Sequence, residues 1–401
     1  MIEGWKHCQL GDVIELKRGY DLPQKERQPG SVPLVSSSGV SDTHSVAKVK
    51  GPGVITGRYG TIGTVYYVDD DFWPLNTTLY VRNFKGNDPR FVSYFLRGLD
   101  FHAYSDKAAV PGLNRNDLHQ ANVLFPPLPE QRAIAATLGA LDDKIELNRK
   151  MNATLEAMAR ALFRDWFVDF GPTRAKMAGT APYLSPDLWS LFPDRLDDEG
   201  KPEGWESGTL GAIAKAKNEG VNPSGIDSET PYIGLEHMPR GSIALTEWAG
   251  AGKVTSNKAA FATGDFLFGK LRPYFHKVGI APVTGICSTD IVVVRPKAES
   301  WAGFVIACIS NDDFVAYTDK TSTGTKMPRT SWSIMAKYPV MLPPLKLAQA
   351  FNTIVSPMLE RIRANIQESR TLAQTRDLLL PRLMSGEVRL AEAAQMVEVA
   401  Q

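Results

Sequence analysis

The chain contains the same kind of segment twice. Residues 141–169 align without a gap with residues 358–386 when the first segment is shifted by 217 positions. An FPPL motif at 125–128 precedes the first copy, and LPPL at 342–345 precedes the second at the same offset. A second similarity opens each half, where GWKHCQLGDVI begins at Gly4 and GWESGTLGAIA begins at Gly204. A duplicated unit of about 200 residues predicts a molecule with pseudo-twofold symmetry, which suits a partner with two related halves.

Each repeated segment has the apolar pattern of a helix that packs against another helix. Apolar residues recur at alternating spacings of four and three, which predicts a heptad-like seam between two helices. An asparagine stands at the same place in each copy, and a seam asparagine fixes register at a cost in stability. The predicted seam contains Leu141, Ile145, Asn148, Leu155 and Leu162 in the first copy, and Met358, Ile362, Asn365, Leu372 and Leu379 in the second.

Local signals predict where these helices begin and end. Ser356 followed by Pro357 has the pattern of an N-cap and a first helical residue, so each copy is predicted to have a short lead-in helix, a break and a long helix. Pro381 is predicted to end the second long helix, because proline cannot donate the next backbone hydrogen bond. Arg376 interrupts the second seam, so we expect fraying or a contact with another chain there.

The regions before the helices have the composition of mixed domains. Short β-type runs, broken by glycine, proline and aspartate, occur at 53–68, 77–84, 264–281 and 290–296. Each half also contains one short helical candidate, at 89–99 in the first half and at 300–310 in the second. We therefore predict an α+β fold with two pseudo-symmetric mixed α/β domains and two long antiparallel coiled-coil helices.

Bulk composition sets broad limits. The 401 residues suffice for two or three domains, and a hydrophobic content of 43% with 22% charged residues is typical of a soluble globular protein. No apolar run reaches the roughly 18 residues that span a bilayer. Three widely spaced cysteines indicate neither a disulfide framework nor a metal site, so we expect a cytoplasmic protein. A net charge of +1 requires that any DNA-binding charge be local.

No motif in the chain predicts catalysis. The proline pairs lack the flanking polar and aromatic residues of a methyltransferase motif, and the glycine-rich segments miss the spacing of phosphate-binding loops. The histidines show no metal-ligand spacing, so no metal is predicted. Asp194, Glu199 and Lys201 imitate the order of a metal-dependent nuclease site, but such a site needs its carboxylates on adjacent strands, and these residues lie in a polar loop.

Basic residues cluster locally and alternate with aromatic ones. Lysine and arginine supply phosphate contacts, and arginine and asparagine also read base edges. A solvated basic face is the simpler interpretation for each single residue, but basic loops at corresponding places in both halves favour DNA binding. The candidate DNA-binding residues are Lys48, Lys50, Arg58, Tyr59, Asn114, Arg115, Lys270, Arg272, Lys277, Thr325, Lys326 and Arg329.

A second apolar stripe lies off the seam of the first helix. It consists of Met151, Met158, Phe163 and Phe167, and it needs burial against its own domains or another subunit. We therefore mark these four residues as candidate subunit contacts.

The residues just quoted resemble one protein family. PPLPEQRAIAATLGALDDKIELNRKMNATLEAMARALFRDWFVDF (126–170) is similar to the first conserved helical region of the specificity (S) subunits of type I restriction-modification systems. GRYGTIGTVYYV, GKLRPYFHKVGIAP and FPDRLDDEGKPEGW resemble segments of that family, and LPPLKLAQ through LMSGEV resembles its second conserved region. The resemblance covers essentially the whole chain.

The resemblance implies a domain plan. Target-recognition domains would occupy 1–127 and 204–344, and conserved helical regions would occupy 128–170 and 345–386. A linker at 171–203 and a C-terminal tail at 387–401 complete the chain. The two recognition domains would be held apart by the helices.

The resemblance also implies a non-catalytic DNA-recognition subunit. Each recognition domain would read one half of a bipartite, asymmetric double-stranded DNA site, and two methyltransferase (M) subunits would dock, with up to two restriction (R) subunits. This chain would bind no cofactor, whereas S-adenosylmethionine, ATP and Mg²⁺ would belong to the partners. Two alternatives remain open from the residues alone: a metal-dependent nuclease that uses Asp194, Glu199 and Lys201, and an adaptor that binds proteins without reading DNA.

Overall fold

The computed structural model describes residues 4–105, 112–217, 219–222, 225–324 and 326–400. The chain divides into two compact units. Unit 1 comprises Met1–Ile145 and Thr371–Gln401, and unit 2 comprises Glu146–Arg370. Each unit therefore contains one mixed domain together with part of each repeated segment.

Unit 1 contains a four-stranded sheet in the order β2-β8-β5-β6, a three-stranded sheet in the order β4-β3-β7, and the antiparallel pair β1-β9. Its strands are β1 (Lys6–Gln9), β2 (Glu15–Arg18), β3 (Val32–Ser36), β4 (Gly39–His44), β5 (Gly53–Gly57), β6 (Val65–Val68), β7 (Trp73–Pro74), β8 (Thr78–Asn83) and β9 (Asn122–Phe125). Strand β5 is buried along its whole length because it lies between β8 and β6 and faces the core of unit 1.

Unit 2 repeats this arrangement with a larger second sheet. Its four-stranded sheet has the order β11-β19-β16-β17, its five-stranded sheet has the order β12-β15-β18-β13-β14, and β10 pairs with β20. The strands are β10 (Glu206–Thr209), β11 (Ala214–Lys217), β12 (Gly220–Val221), β13 (Pro231–Ile233), β14 (Ala249–Gly250), β15 (Lys258–Phe261), β16 (Phe266–Gly269), β17 (Val278–Ile280), β18 (Gly285–Cys287), β19 (Ile291–Pro296) and β20 (Pro339–Leu342). The parallel pair β3-β7 of unit 1 has its counterpart in the parallel pair β13-β18.

The helices confirm the α+β prediction. They are α1 (Leu10–Val13), α2 (Pro89–Arg97), α3 (Arg115–His119), α4 (Leu128–Phe163), α5 (Gly171–Met177), α6 (Pro186–Trp189), α7 (Leu210–Ile213), α8 (Ala302–Ile309), α9 (Asp312–Lys320), α10 (Trp332–Met335), α11 (Leu345–Ser385) and α12 (Leu390–Ala400). A π-helical turn, Arg164–Val168, continues α4. Short 3₁₀ turns lie at Gln24–Glu26, Phe101–Tyr104, Leu235–His237, Ala251–Lys253, Pro273–Phe275 and Glu299–Trp301. Helices α2 and α8 match the two short helical candidates.

The two long helices are continuous, so the predicted breaks are wrong. Helix α4 has 36 residues and α11 has 41, which corresponds to about 54 Å and about 62 Å at 1.5 Å per residue. Pro357 and Pro381 both lie inside α11 instead of at its ends. Both prolines are exposed, so the carbonyl that each leaves without a helical partner faces solvent and the helix continues.

Contacts within unit 2 show that α4 and α11 pair in opposite directions. The amide of Asn148 donates to Glu368 at 2.7 Å, and the amide of Asn365 donates to Asn152 at 2.8 Å. Asn148 also donates to Ser369 at 3.3 Å. By the 217-residue offset, Asn148 corresponds to Asn365 and Asn152 corresponds to Ser369. The contact of Asn148 with Ser369 is therefore the twofold equivalent of the contact of Asn365 with Asn152. The buried asparagines thus lie where the repeated segments meet about a pseudo-twofold axis.

Arg376 neither frays nor lacks a partner. Within unit 1, its guanidinium donates to Asp142 at 2.6 Å. The other Asp142 oxygen accepts from the Tyr94 hydroxyl at 2.6 Å and from Arg97 at 3.1 Å. Burial alone would raise the pKa of Asp142, but the bonds from Tyr94 and Arg376 outweigh it and hold this pKa below its ordinary value. The interruption of the seam is therefore a polar cluster.

The apolar seam residues are buried or half-buried. Leu141, Leu372 and Leu379 belong to the core of unit 1, and Ile362 belongs to the core of unit 2. The C-terminal helix α12 also packs on the unit 1 core through Ala393 and Val397.

Candidate nucleic-acid interface

In unit 2, two basic segments that are distant in sequence are bonded to each other. The loop that follows β16 meets a hairpin near residue 330. The Thr330 amide donates to the Lys270 carbonyl at 3.0 Å, and the Arg272 amide donates to the Pro328 carbonyl at 2.7 Å. Residues 270–276, 323–324 and 326–330 together are called the unit 2 junction. Thr325, a predicted DNA contact, lies outside the described residues.

Arg329, in the hairpin of this junction, contacts three other residues. The amide and the carbonyl of Arg329 bond to the carbonyl and the amide of Thr323 at 2.9 and 3.0 Å. Leu271 lies beside Arg329 as an antiparallel bridge partner. The side chain of Arg329, 54% exposed, forms an ion pair with Asp290, with Nη2 2.7 Å from Oδ1. The backbone of Arg329 is thus fixed while its guanidinium remains accessible.

The other side chains of the unit 2 junction have different environments. Lys326 and Tyr274 are exposed, and Lys270 is half-buried. Arg272 has a left-handed backbone with φ +50°, and its guanidinium carbon lies 5.9 Å from the centre of the Phe275 ring. A half-buried guanidinium with strained backbone is a poor candidate for a mobile phosphate contact, whereas Lys326 has the exposure that phosphate binding requires.

Unit 1 contains the same backbone arrangement. The Leu113 amide donates to the Arg58 carbonyl at 3.0 Å, just after β5 ends, and Tyr59 is bridged antiparallel to Gly112. Residues 58–59 and 112–115 together are called the unit 1 junction. The bond between Leu113 and Arg58 corresponds to the one between Thr330 and Lys270, because β5 and β16 occupy the same position in the two four-stranded sheets. A short helix follows each junction, α3 in unit 1 and α10 in unit 2.

The side chains of the unit 1 junction combine one cation–π pair with one helix cap. The Arg58 guanidinium carbon lies 4.5 Å from the centre of the Tyr59 ring, which is exposed. The Asn114 side chain accepts from the Asn116 amide at 3.0 Å and so caps α3. Arg115 is exposed on the first turn of that helix. The capping role accounts for Asn114 without DNA, so Arg58, Tyr59 and Arg115 are the stronger candidates.

Three predicted lysines lie outside the junctions. The Lys48 ammonium lies 5.4 Å from the centre of the Tyr20 ring and 5.5 Å from that of Trp73, which holds this charge on an aromatic surface. Lys50 is exposed nearby in sequence. Lys277 donates to the Leu235 carbonyl, and burial, followed by the charge of Arg240, lowers its pKa. Lys277 therefore has a structural partner, whereas Lys48 and Lys50 keep the exposure that a phosphate contact needs.

Sequence reasoning missed three residues that contact the candidate side chains. Asp290 was not singled out, because a lone acid just before a strand carries no periodic or motif signal. Tyr20 and Trp73 were missed for the same reason: they come together only through the bridge between Tyr20 and Leu75 and the pairing of β3 with β7. Their one sequence signal is that they are aromatic residues in polar, turn-rich segments.

Two of the four candidate subunit contacts are core residues. Phe163 and Phe167 are buried in unit 2, where Phe163 lies 5.1 Å from Phe304 and Phe167 lies 4.9 Å from Phe351, centre to centre. An aromatic cluster of this size is stabilised by burial within its own unit and leaves no surface for a partner. Met158 is 47% exposed and Met151 is half-buried, so these two remain candidates.

The residues of the nuclease alternative do not form a metal site. Asp194 pairs with Lys176 at 2.9 Å, and Glu199 pairs with Lys201. Both carboxylates are exposed, and no strand lies between them. Across the described ranges, no group of three or more histidine, cysteine, aspartate or glutamate side chains is placed to hold a metal ion. Within the same residues, no helix is both long and apolar enough to span a membrane.

Comparison with known proteins identifies the family. The family model described as the type I restriction modification DNA specificity domain matches residues 2–157 and 202–369. The chain belongs to this family. The two matched ranges correspond to the two halves of the internal repeat, so the specificity domain occurs twice in the chain.

Individual relatives agree with this assignment. The chain is 26% identical over 336 residues to the specificity subunit of type I restriction enzyme MjaIX from Methanocaldococcus jannaschii, with 80% of this chain and 74% of the relative covered. It is 25% identical over 343 residues to the specificity subunit of type I restriction enzyme HindI from Haemophilus influenzae, with 71% and 73% covered. The crystal structure of a type I restriction-modification S subunit from M. genitalium matches with a TM-score of 0.59 at 17% identity, covering 94% of this chain and 96% of that one, and shows the same fold.

Proposed function

We propose that this chain is the sequence-specific DNA-recognition subunit of a type I restriction-modification complex. It directs M subunits, and R subunits where they are present, to a bipartite asymmetric DNA site. Unit 1 reads one half-site and unit 2 reads the other. The chain itself performs no chemistry, because methylation of adenine and ATP-driven translocation belong to the partner subunits and their cofactors.

One observation carries this proposal: each unit contains a corresponding backbone junction, and the two junctions carry different side chains. Unit 1 offers the exposed Tyr59 and Arg115 beside the half-buried Arg58, whereas unit 2 offers the exposed Lys326 and Arg329. Corresponding backbones with different side chains are what a protein needs in order to recognise two different half-sites. Membership of the specificity-domain family supports the same conclusion.

The proposal is tested by sequencing modified bases in DNA from cells that express the chain with its neighbouring methyltransferase. A split adenine-methylation motif is expected. Replacing residues 204–342 with the corresponding domain of a relative should change one half of the motif and leave the other half intact. If no motif depends on the chain although it still binds the methyltransferase, the adaptor interpretation replaces this proposal.

The exposed stripe on α4 is proposed as part of the M-subunit contact. Met158, together with Met151, presents apolar surface that a partner would bury. Met158→Asp should weaken co-purification of the methyltransferase at least 10-fold while leaving the melting temperature of the chain unchanged. Ala153→Asp introduces the same charge at another exposed position of α4 and serves as the control. Equal loss in both variants would remove this assignment.

A further inference from the structure

The ion pair between Arg329 and Asp290 is built differently from an ordinary surface pair. Asp290 stands immediately before β19, its carbonyl accepts from the Lys270 amide at 2.7 Å, and its amide donates to Ser288 at 3.2 Å. Arg329 is fixed through its backbone to Thr323. Both partners of the pair therefore have rigid backbones, and the Asp290 side chain is only 29% exposed. The guanidinium is oriented by two fixed anchors and not by a flexible contact.

The chemistry of this arrangement favours a base edge over a phosphate. A guanidinium carries five N–H donors in a planar fork, and one bond to Asp290 leaves the others available. The carboxylate neutralises the charge of Arg329 and would repel a phosphate, so the pair gains little from backbone contact. It retains the fixed geometry for bidentate donation to O6 and N7 of guanine, the commonest specific arginine contact in the major groove.

A neighbouring lysine is available for the phosphate contact that Arg329 does not make. Lys326 is exposed on the same hairpin, whereas Lys270, which follows β16, is half-buried. Exposed lysines position a protein on the duplex without reading its sequence. The unit 2 junction thus separates the two tasks between different side chains.

At the corresponding bridge position, unit 1 has a glycine in place of this arginine. Gly112 occupies the bridge position that Arg329 occupies in unit 2. A Cβ at Gly112 would lie 2.5 Å from the Tyr59 ring, so that ring fills the space in which a side chain would project. Readout by an oriented guanidinium from this position is therefore confined to unit 2.

From these observations we infer that Arg329, oriented by Asp290, contacts a guanine in the half-site that unit 2 reads. Arg329 is the specificity-determining residue, and Asp290 is its positioning residue. The inference rests on the proposed function, because it assumes that unit 2 reads one half-site.

The experiment uses the full chain in complex with its methyltransferase and duplexes that carry the methylation motif. Each guanine of the unit 2 half-site, assigned by the domain replacement, is changed one at a time to 7-deazaguanine, which lacks the N7 acceptor. One such change removes one of the two acceptors, so it should weaken binding by wild type by part of the about 5- to 150-fold that a complete bidentate contact contributes. Arg329→Ala should weaken binding to the native duplex by more than this, and its loss should be smaller on the changed duplex than on the native one.

Three further variants separate readout from charge. Arg329→Lys should keep the Arg329→Ala defect, because an ammonium cannot form the planar fork. Asp290→Asn should weaken discrimination at the same base pair less than Arg329→Ala does. Lys326→Ala, the matched control on the same hairpin, should weaken binding equally on all duplexes and reduce its salt dependence.

Two results would overturn the inference: a unit 2 half-site without a G·C pair, or a loss in Arg329→Ala that is the same on every duplex. Both leave the proposed function intact. A wild-type complex without sequence preference would instead remove the proposed function.

Discussion

The two units differ in the side chains that meet between α4 and α11. In unit 1, Asp142 binds Arg376, Tyr94 and Arg97 in one polar cluster. The 217-residue offset places Leu359 and Ala159 of unit 2 at the positions of Asp142 and Arg376. Alignment of Phe304 and Val305 in α8 with Phe91 and Val92 in α2 places Ala307 and Ser310 at the positions of Tyr94 and Arg97. All four line one small cavity of unit 2. The duplicated sequence has thus kept its backbone plan, while the ion pair of Asp142 and Arg376 in unit 1 is replaced by Leu359 and Ala159 in unit 2, where Glu156 and Arg160 line the same cavity.

This difference shows which features of the repeated segments both units share and which side chains can vary between them. Both units need a close approach of α4 and α11, and either a satisfied polar cluster or small apolar side chains can fill the space between a helix pair and the neighbouring short helix. The polar cluster makes the stability of unit 1 sensitive to the loss of any one of its side chains. At the corresponding place in unit 2, stability depends on the volume of the side chains that fill the space.

The largest expected effect concerns a buried carboxylate that only unit 2 has. Glu156 is 5% exposed and accepts from the Ser242 hydroxyl at 2.7 Å and from the Ile243 and Ala244 amides at 3.1 and 3.2 Å. Glu156→Ala should lower the free energy of unfolding by about 3 kcal/mol or more, because three donors lose their acceptor. Urea denaturation of the full chain measures this, with Glu146→Ala on the exposed face of α4 as the control. A loss below about 1 kcal/mol would show that water replaces the carboxylate.

The next effect tests whether the Asp142–Arg376 pair of unit 1 can be replaced by the Leu359–Ala159 pair of unit 2. Asp142→Leu should cost about 2 kcal/mol, since it removes the shared acceptor of Arg376, Tyr94 and Arg97 and leaves Arg376 with Asp377 alone. The double change Asp142→Leu with Arg376→Ala copies Leu359 and Ala159 into unit 1. It should recover part of the lost free energy of unfolding, because Arg376 no longer stands without Asp142, whereas Tyr94 and Arg97 still lack the carboxylate to which they donate. If the double variant is as unstable as the single one, the two units are not equivalent at this place.

A smaller effect concerns the two buried asparagines. Asn148 donates to a carboxylate, whereas Asn365 donates to an amide. Hydrogen bonds to charged groups contribute more, so Asn148→Ala should cost about 2 kcal/mol and Asn365→Ala about 1 kcal/mol. Parallel urea titrations of the two variants compare them directly. Equal costs would mean that the charge on Glu368 adds nothing to this contact.

The smallest effect is a pH dependence in unit 1. The His119 Nε2 accepts from the Leu16 amide at 2.9 Å, and burial, followed by the charge of Arg115, lowers the pKa of His119. The folded state therefore disfavours the protonated ring. The stability that His119 contributes is present above its unfolded pKa of about 6.5 and is lost as the pH falls below that value toward the folded pKa. His119→Gln should flatten the stability of unit 1 between pH 7 and pH 5, and an unchanged slope would assign the titration to another group.

The sequence predicted the elements whose signals are local or periodic. Heptad spacing located the seam residues, and the turn-rich β-type runs located β5, β8, β16 and β19. The same local reasoning failed at Pro357 and Pro381, where it predicted helix ends. Intrinsic preference was overridden there because buried neighbours such as Val355, Leu359 and Leu383 hold the helix on its packed face while each proline ring faces solvent.

The candidate site depended on contacts that no local pattern carries. Arg58 and Lys326 could be selected from the sequence as basic residues in polar loops. Only the structure distinguishes them from Lys277, which donates to a backbone carbonyl. Asp290 meets Arg329 only because the fold brings the hairpin of residues 323–324 and 326–330 against the start of β19. Charge clusters in a sequence show which residues are available, whereas orientation depends on pairing between segments about 60 residues apart in the chain.

The sequence alone determined that this chain is a duplicated molecule with two mixed domains and a paired helical repeat, because repeats and periodicity are properties of residue order. Only the tertiary structure decided that each long helix is continuous, that Arg376 joins a polar cluster in one unit while its counterpart is apolar in the other, and that Arg329 is oriented by Asp290. Those outcomes depend on which side chains from distant segments share a space, and a one-dimensional pattern does not contain that information.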